Sequence, residues 1–327
     1  MWKTDIDDLK DLKPIIERLY EKKALLDKRR PLPSSALQRI KEDISVEWTY
    51  NSNSIEGNTL SLRETKMILQ EGITVKGKSL REHFEVYNHQ KAIDYLQTLL
   101  NTKYKITSLD ILSLHGLVMR SIEDEFAGRL RNGGVRIIGA NFTPPNAAKV
   151  SQMFDELIDF TNTNPLKLDV VLLATIFHHR FAWIHPFFDG NGRTVRLAMN
   201  LLLMRKGFPP AIILKNDRSK YYDALNHANK GSYKKLCLLI IQSLERSLNI
   251  YLNAMPGSNY DYEPISTILE EEQMPYSQEY ISLLARQGKI DAHKEGRNWV
   301  TTKSAISNYM NTRKKYMRKN NLKEMLS

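Results

Sequence analysis

Cysteine is almost absent from this chain: Cys237 is the single one among 327 residues. One cysteine excludes a disulfide framework and fits a reducing compartment. Long apolar runs are missing as well, because the longest strongly apolar stretch, Leu168 to Phe177, falls short of the roughly 18 residues that span a bilayer. The charged N-terminus, Met1 to Lys10, lacks the apolar core of a secretory signal. We therefore expect a soluble, cytoplasmic protein that makes no membrane contact.

Glycine and proline are also few, 15 and 12, and they fall mostly between segments with apolar residues at helical spacing, such as Leu9 to Leu19 and Val86 to Leu100. This pattern predicts a mainly α fold, and the length predicts about two domains. Pro31 to Ser35 marks a break after a first helix, and Pro256 to Tyr260 marks a linker. The predicted organisation is an N-terminal helical region, a central core and a C-terminal domain, with bounds 1–100, 101–255 and 256–327.

A phosphate site is predicted between His185 and Arg196, where the chain reads HPFFDGNGRTVR. Gly190 and Gly192 allow a turn whose backbone N–H groups converge on an anion, and the residues after it favour a helix, whose N-terminus attracts negative charge. Arg193 and Arg196 lie three apart on one helix face, which suits a polyphosphate. Asp189 is a hard oxygen ligand for Mg²⁺, and His185 can accept a proton near neutral pH.

Other readings of these residues are weaker. A zinc helix would need a second histidine at a suitable spacing after His185, and Pro186 disfavours a helix there. His178 and His179 show no ligand spacing and are interpreted as packed histidines. Neither GxxxxGK(S/T) nor GxGxxG occurs, which removes the commoner nucleotide-binding motifs.

Every fixed position of HxFx(D/E)GNGRxxR is filled, and the segment therefore resembles the signature of the Fic-domain family. The resemblance implies a Fic-fold helical bundle with a small β-hairpin flap, and transfer of AMP from ATP to a Ser, Thr or Tyr hydroxyl of a target protein with release of pyrophosphate. It implies that His185 is the catalytic base, that Asp189 holds Mg²⁺ and that Phe187 anchors the loop in the core. The ATP contacts it implies are Gly190, Asn191, Gly192, Arg193, Thr194 and Arg196.

A second motif, Ser52 to Asn58, matches (S/T)xxxE(G/N) and resembles the inhibitory motif of Fic proteins that carry their own inhibitory helix at the N-terminal side. The resemblance implies that Glu56 pairs with Arg196 and denies that arginine to the γ-phosphate. ATP would still bind, but with its α-phosphate out of line for attack. Read alone, the segment is an exposed helix end capped by Gly57.

The segment Gly128 to Pro145 predicts a small β-hairpin, because glycine turns flank a β-branched run. In the resemblance it is the flap that holds the target, with Val135 to Ile138 facing nucleotide or substrate; read alone, it is a connection. The resemblance further implies that Tyr221, Tyr222 and Asn229 close over the adenosine, although tyrosines at helical spacing are also typical of a core.

Beyond residue 256 the pattern predicts a helix over Tyr276 to Gly288, a hairpin turning at Glu295-Gly296 and a helix from Ser304. It resembles a winged helix-turn-helix, with Ser277 to Arg286 as a recognition helix and Lys294 with Arg297 on the wing. The formal net charge of +11 lies mostly before this part, which disfavours strong DNA binding. The basic run Arg313 to Lys319 is read as a solvated terminus.

Two functional classes follow from these motifs. The first is an autoinhibited, ATP-dependent and Mg²⁺-dependent protein adenylyltransferase. The second is a DNA-binding regulator with the Fic domain as a sensor; within the enzyme class, another nucleotide donor or removal of AMP stays open. Self-modification and homodimer formation also stay open, and the sequence does not identify the target protein.

Overall fold

The computed structural model describes residues 7–30, 34–100, 104–137, 142–255 and 261–324. Residues 31–33 of the predicted break at Pro31 to Ser35, and the whole predicted linker Pro256 to Tyr260, lie outside these residues. Helices dominate the described chain, as the scarcity of glycine and proline predicts. In the described ranges, no helix is both long enough and apolar enough to cross a membrane.

The N-terminal part contains a 3-10 helix and then α1 to α4, with these bounds: 3-10 helix Asp7–Leu12, α1 Lys13–Lys28, α2 Ser34–Ile55, α3 Leu62–Glu71 and α4 Leu80–Leu100. The central part has short 3-10 turns at Ala147–Lys149 and Lys215–Asp217, and its helices are α5 Ser108–Met119, α6 Val150–Thr163, α7 Val170–Ile184, α8 Asn191–Arg205, α9 Arg218–Asn229 and α10 Lys234–Asn253.

The helices α7 and α8 form the centre of the bundle and are buried on almost every side. The run that forms α7 is mostly apolar, and its polar residues His178, His179 and Arg180 are buried as well, which is typical of a helix surrounded by others. Aromatic side chains from α6, from α7 and from the loop between α7 and α8 pack edge to face; Phe154 lies 6.0 Å from Phe181 and 6.4 Å from Phe187 between ring centroids. Phe187 is fully buried, which agrees with its expected role as an anchor of the loop.

The C-terminal part has a core of its own and consists of β1 Glu263–Pro264, α11 Ile265–Glu271, α12 Gln278–Arg286, β2 Ala292–Glu295, β3 Asn298–Thr301 and α13 Lys303–Glu324. Its antiparallel sheet has the order β1-β3-β2, with Glu263 and Ala292 on either side of Thr301. The β2–β3 hairpin turns at Gly296, whose φ is +60°. The predicted order of helix, hairpin and helix is therefore present. Its core side chains are Ile265, Ile268, Ile281, Leu284, Ile290 and Ile306.

The flap hairpin is not found in the described part of Gly128 to Pro145. Residues 129–137 contain no strand, and residues 138–141 lie outside the described chain. The reason is visible in Arg131, which is 2% exposed and donates to the carbonyls of Gly133 and Pro145 at the two sides of the segment. A side chain therefore satisfies carbonyls that a partner strand would otherwise satisfy.

Candidate active site

The loop between α7 and α8, residues 185–190, carries the predicted phosphate motif. His185 ends α7 with a φ of +51°, and Gly190 precedes α8 with a φ of +75°. A side chain at Gly190 would also meet Met119 Sδ at 2.8 Å, so that glycine is required for both conformation and space. The predicted helix therefore begins at Asn191, directly after the glycine turn.

The loop is closed by the side chain of Asn191. Its Nδ2 donates to the carbonyl of Phe187 at 2.8 Å, and its Oδ1 accepts from the backbone N–H of Phe187 at 3.0 Å. The amide side chain is thus used inside the loop. A contact of Asn191 with phosphate would fall to its backbone N–H at the start of α8.

His115 on α5 contacts the loop, and no pattern in the sequence indicates this role. Its ring stacks on Phe187 with centroids 3.6 Å apart, its Nε2 lies 3.0 Å from the carbonyl oxygen of Asp189, and its Nδ1 accepts from the N–H of Gly128 at 3.0 Å. Burial lowers the pKa of His115 to about 4, although the Asp189 carbonyl opposes the shift. The neutral ring therefore donates from Nε2 and holds the loop in place.

Arg131 is a second positioning residue that the sequence did not indicate. Its Nε donates to the carbonyl of His185 at 2.8 Å, and its backbone N–H donates to the carbonyl of Pro186 at 2.9 Å. Together with its bonds to Gly133 and Pro145, these contacts tie the predicted flap segment to the end of α7.

The imidazole of His185 is suited to accept a proton. Its Nδ1 lies 3.3 Å from the carbonyl oxygen of Ala182, which places a proton on Nδ1 and leaves Nε2 free of one. Burial lowers the pKa of His185, and the Ala182 carbonyl opposes that shift in part. The ring is therefore neutral at pH 7, as a general base must be.

Glu56, the first residue after α2, forms an ion pair with Arg196 across 2.7 Å, from Oε1 to Nη1. Arg196 is 2% exposed and also donates from Nε to the hydroxyl of Ser52 at 3.1 Å and from Nη2 to the carbonyl of Ser52 at 2.7 Å. Burial alone would lower the pKa of Arg196, and the charge of Glu56 raises it instead. The structure thus joins the two motifs, which lie 144 residues apart at Ser52 and Arg196.

The same carboxylate lies over the start of α8. A Cβ atom on Gly192 would stand only 2.0 Å from Glu56 Oε1, so the glycine is what admits the glutamate. The carboxylate therefore occupies a position at a helix N-terminus, where an anion is favoured.

Arg193 points to the other side of the helix start. Its Nη1 lies 3.3 Å from Glu85 Oε1, and its Nη2 lies 3.5 Å from Asp189 Oδ2. Its Nε is buried with no hydrogen-bond partner among the described residues, as is the hydroxyl of Thr194. A buried guanidinium nitrogen without a partner is a donor still available to a ligand.

Asp189, the predicted metal ligand, is held by a residue that the sequence did not single out. Its Oδ2 accepts from Arg81 Nη2 at 2.6 Å, and its Oδ1 accepts from the N–H of Gly190 at 2.6 Å. In the described ranges, no group of three or more acidic, histidine or cysteine side chains is arranged to hold a metal ion. One exposed carboxylate fits a Mg²⁺ ion that takes its other ligands from phosphate and water.

Comparison with known proteins identifies the family. Residues 105–203, which include the whole phosphate motif, match the model of the Fic/DOC family. A solved segment of Fic-1 from Caenorhabditis elegans is 34% identical, with a TM-score of 0.67, over 74% of this chain and 72% of that one. The chain belongs to the Fic/DOC family.

Named relatives share more of the chain than the Fic domain alone. The protein adenylyltransferase Fic of Aedes aegypti is 35% identical over 86% of this chain and 57% of its own length. Protein adenylyltransferase fic-1 of C. elegans is 37% identical over 69% of this chain and 45% of its own length. The chain thus spans about half the length of the curated relatives it matches.

The two tyrosines predicted to contact adenosine flank the Glu56–Arg196 pair of this Fic domain. Tyr221 is 2% exposed and its hydroxyl lies 2.7 Å from His178 Nε2; burial raises its pKa, while Arg196 opposes the shift. Burial also raises the pKa of Tyr222, with Glu56 adding to the shift, and Arg218 covers its ring at 4.8 Å. Tyr222 is the more accessible of the two tyrosines.

Asn229 and Val135 are the other two residues predicted to contact the nucleotide. Asn229 Oδ1 accepts from His179 Nε2 at 2.9 Å, so its side chain is joined to α7 rather than to the loop. Val135 is half-buried in the strand-free segment after Arg131. His178 and His179 are packed histidines, as interpreted from the sequence, and burial lowers their pKa values to about 3 and about 4.

Proposed function

We propose that this chain is an autoinhibited protein adenylyltransferase, which transfers AMP from ATP to a Ser, Thr or Tyr hydroxyl of a target protein and releases pyrophosphate. The observation that carries the proposal is the position of Glu56. Its carboxylate lies over Gly192, at the N-terminus of α8, and pairs with Arg196 at 2.7 Å. An internal anion at this point marks a place where a phosphate group would be held.

The phosphate groups of ATP would be bound by the N–H groups at Gly190, Asn191 and Gly192 and by the two arginines of α8. Arg196 would take the outer phosphate once Glu56 has left, and the free Nε of Arg193 would take another. The buried Thr194 stays a proposed contact through its unpaired hydroxyl. Tyr222, Tyr221, Asn229 and Val135 are the proposed contacts of the nucleoside.

In the transfer step, the target hydroxyl oxygen forms a bond to the α-phosphorus while its proton passes to Nε2 of His185. The bond from the α-phosphorus to the bridging oxygen breaks, and that oxygen leaves with pyrophosphate. Neutral His185 needs no prior loss of a proton, because burial lowers its pKa. Asp189 would hold Mg²⁺, which supplies charge neutralisation on the phosphate oxygens when bound.

Autoinhibition follows from competition for Arg196. While Glu56 holds this guanidinium, the outer phosphate of ATP lacks its partner, so the triphosphate is not fixed with its α-phosphorus in line with the hydroxyl. Ser52 stabilises the inhibited state because its hydroxyl and its backbone carbonyl accept two further hydrogen bonds from Arg196. The inhibited state would therefore bind ATP without transferring AMP.

The C-terminal part has the element order of a winged helix, and we propose that fold for it. Its use on DNA is not favoured, since Lys294, the predicted wing contact, is instead bound to Asp217 at 2.5 Å. Arg297 is exposed at the tip of the hairpin, but one arginine is a small basic face. The proposed partner is therefore a protein that presents a hydroxyl side chain, and the proposed location is the cytoplasm. Self-modification and homodimer formation are further proposals.

The decisive experiment uses α-labelled ATP with Mg²⁺ and a cell lysate as the source of targets. We expect weak labelling of protein with the natural chain, strong labelling with Glu56→Gly and none with Glu56→Gly combined with His185→Ala. Labelling of protein by γ-labelled ATP instead of α-labelled ATP would exclude AMP transfer by this site. Equal labelling with Glu56→Gly and with Glu56→Gly combined with His185→Ala would exclude it as well. Mass spectrometry of the labelled bands identifies the target and the modified residue type.

A further inference from the structure

The helix that carries the inhibitory motif, α2, is held along one face at three points. Glu47, Asn51 and Ile55 are four residues apart, so they share that face. Their partners are close: Arg246 Nη2 lies 2.7 Å from Glu47 Oε1, the N–H of Lys215 donates to Asn51 Oδ1 at 2.8 Å, and Arg218 Nε donates to the carbonyl of Ile55 at 2.7 Å.

The C-terminal hairpin holds these partners in turn. The Nε of Arg246 donates to the carbonyl of Lys294 at 2.8 Å, so one guanidinium joins β2 to α2 through α10. Lys294 Nζ reaches Asp217 Oδ1 at 2.5 Å, and Asn216 Nδ2 donates to the carbonyl of Gly296 at 3.1 Å. The hairpin therefore contacts both the 3-10 turn and the arginine that fix α2.

The contacts form an unbroken chain to the active site. Asp217 is bonded covalently to Arg218, Arg218 holds Ile55, and Ile55 is followed directly by Glu56. The ion pair that begins this chain is sheltered, since the side chains of Lys294 and Asp217 are 14% and 10% exposed. A sheltered ion pair is screened less by salt than an exposed one and is costly to break on one side only.

We propose that the β2–β3 hairpin keeps α2 in its inhibiting position, so that loosening the hairpin from Asp217 and Arg246 weakens the Glu56–Arg196 pair and raises AMP transfer. The C-terminal part is then a regulatory input to the Fic domain. This inference rests on the proposed function for its effect on activity, but its structural half is independent of that function.

The first test measures the structural half without any nucleotide. Hydrogen exchange of the amides of residues 52–57 is compared in the natural chain, in Lys294→Gln and in Lys289→Gln. Lys289 lies in the same part of the chain, is exposed and loses the same charge. We expect exchange at least about fivefold faster in Lys294→Gln alone. Equal exchange in all three proteins would overturn the inference.

The second test measures AMP incorporation in the same proteins. Lys294→Gln should raise incorporation about fivefold over Lys289→Gln, and it should add nothing further to Glu56→Gly, since the inhibitory carboxylate is then already gone. Faster exchange with no labelling, even in Glu56→Gly, would contradict the proposed function and leave the hairpin coupling standing. Additive activation in the double variant would overturn the route through Glu56.

A second variant, Glu47→Gln, controls for an effect of Lys294→Gln on folding. Glu47→Gln breaks the other end of the contact, at the ion pair of Glu47 with Arg246, and should speed exchange of residues 52–57 in the same way. Thermal unfolding of each variant separates local loosening from global unfolding. If Glu47→Gln leaves the exchange of residues 52–57 unchanged while the chain is folded, the proposed path through Arg246 is wrong.

Discussion

Glu56 and Arg196 meet at 2.7 Å with unequal surroundings, because the arginine side chain is 3% exposed and the glutamate side chain is 32% exposed. The arginine is also bound by Ser52, whereas the glutamate directly follows the last residue of α2. Under the proposed function, a substrate phosphate would replace the glutamate while Arg196 keeps its contacts with Ser52.

Substitutions at Glu56 should give a graded response. Glu56→Gly removes the carboxylate and leaves Arg196 to the outer phosphate of ATP, so it should raise AMP incorporation more than tenfold. A tenfold change corresponds to about 1.4 kcal/mol of transition-state stabilisation. Glu56→Gln keeps an acceptor for Arg196 but no charge, and it should fall between the natural chain and Glu56→Gly. Labelled ATP measures the rates, and calorimetric titration measures ATP affinity in the three proteins.

The affinity for ATP decides between misorientation and simple blockade. Misorientation by Glu56 predicts that ATP affinity changes by less than about threefold while the rate changes more than tenfold. If affinity and rate rise by the same factor, the carboxylate excludes ATP and the orientation argument fails.

The pH profile of AMP transfer should report His185. Burial lowers the pKa of His185 from its ordinary 6.5, so most of the imidazole is neutral and able to accept a proton at pH 6.5. In Glu56→Gly, the rate should therefore fall to half of its maximum only at a pH below 6.5. A half-maximal point above pH 6.5 would contradict His185 as the titrating base. Rates measured at a constant target concentration and at saturating ATP isolate the acid side of this pH profile.

The parts predicted from sequence are those whose determinants are contiguous. Twelve residues from His185 to Arg196 contain the turn, the helix start and the charged groups, so their local arrangement follows from neighbouring residues. The pairing of Glu56 with Arg196 follows from the family resemblance and not from the spacing of the two residues. The flap hairpin was predicted from local turn signals, but Arg131 makes contacts that no local pattern reveals.

Contacts between residues that lie far apart along the chain are not predictable from the sequence. Arg131 meets His185 across 54 residues, and Arg246 meets Glu47 across 199. A lone arginine carries no signal of its partner, because charged residues are mostly exposed and solvated. Such contacts become visible only when the helices are packed. Likewise, Lys294 resembles a wing residue in sequence, and only the fold shows Asp217 beside it.

Acid should destabilise this fold through buried neutral histidines. Burial lowers the pKa values of His89 and His178 to about 3, and those of His115 and His179 to about 4. Between pH 6.5 and these values the unfolded chain binds more protons, so the free energy of unfolding falls as the pH falls. Each such histidine contributes a slope of up to about 1.4 kcal/mol per pH unit.

Thermal unfolding between pH 7.5 and pH 5 measures this slope. His178→Gln removes one titrating group and should make the decline shallower, even where its lost bond to Tyr221 lowers the melting temperature at every pH. A flat melting temperature across this range, or an unchanged slope in His178→Gln, would show that these histidines do not titrate as their burial requires.

Arg81 should compete with Mg²⁺ for Asp189. Its Nη2 lies 2.6 Å from Asp189 Oδ2, the carboxylate proposed to hold the ion, and it also approaches Glu123 at 3.3 Å. An exposed ion pair contributes about 0.2 to 1 kcal/mol, so Arg81→Gln should lower the Mg²⁺ concentration for half-maximal AMP transfer by up to about fivefold.

Arg63→Gln, which removes an exposed arginine from α3, is the matched control. Direct titration of Mn²⁺ into the nucleotide-bound protein should show the same shift, because release of Asp189 affects binding of the ion before any chemistry. A higher Mg²⁺ requirement in Arg81→Gln would instead mean that Arg81 holds the metal-bound phosphates, and competition for Asp189 would be excluded.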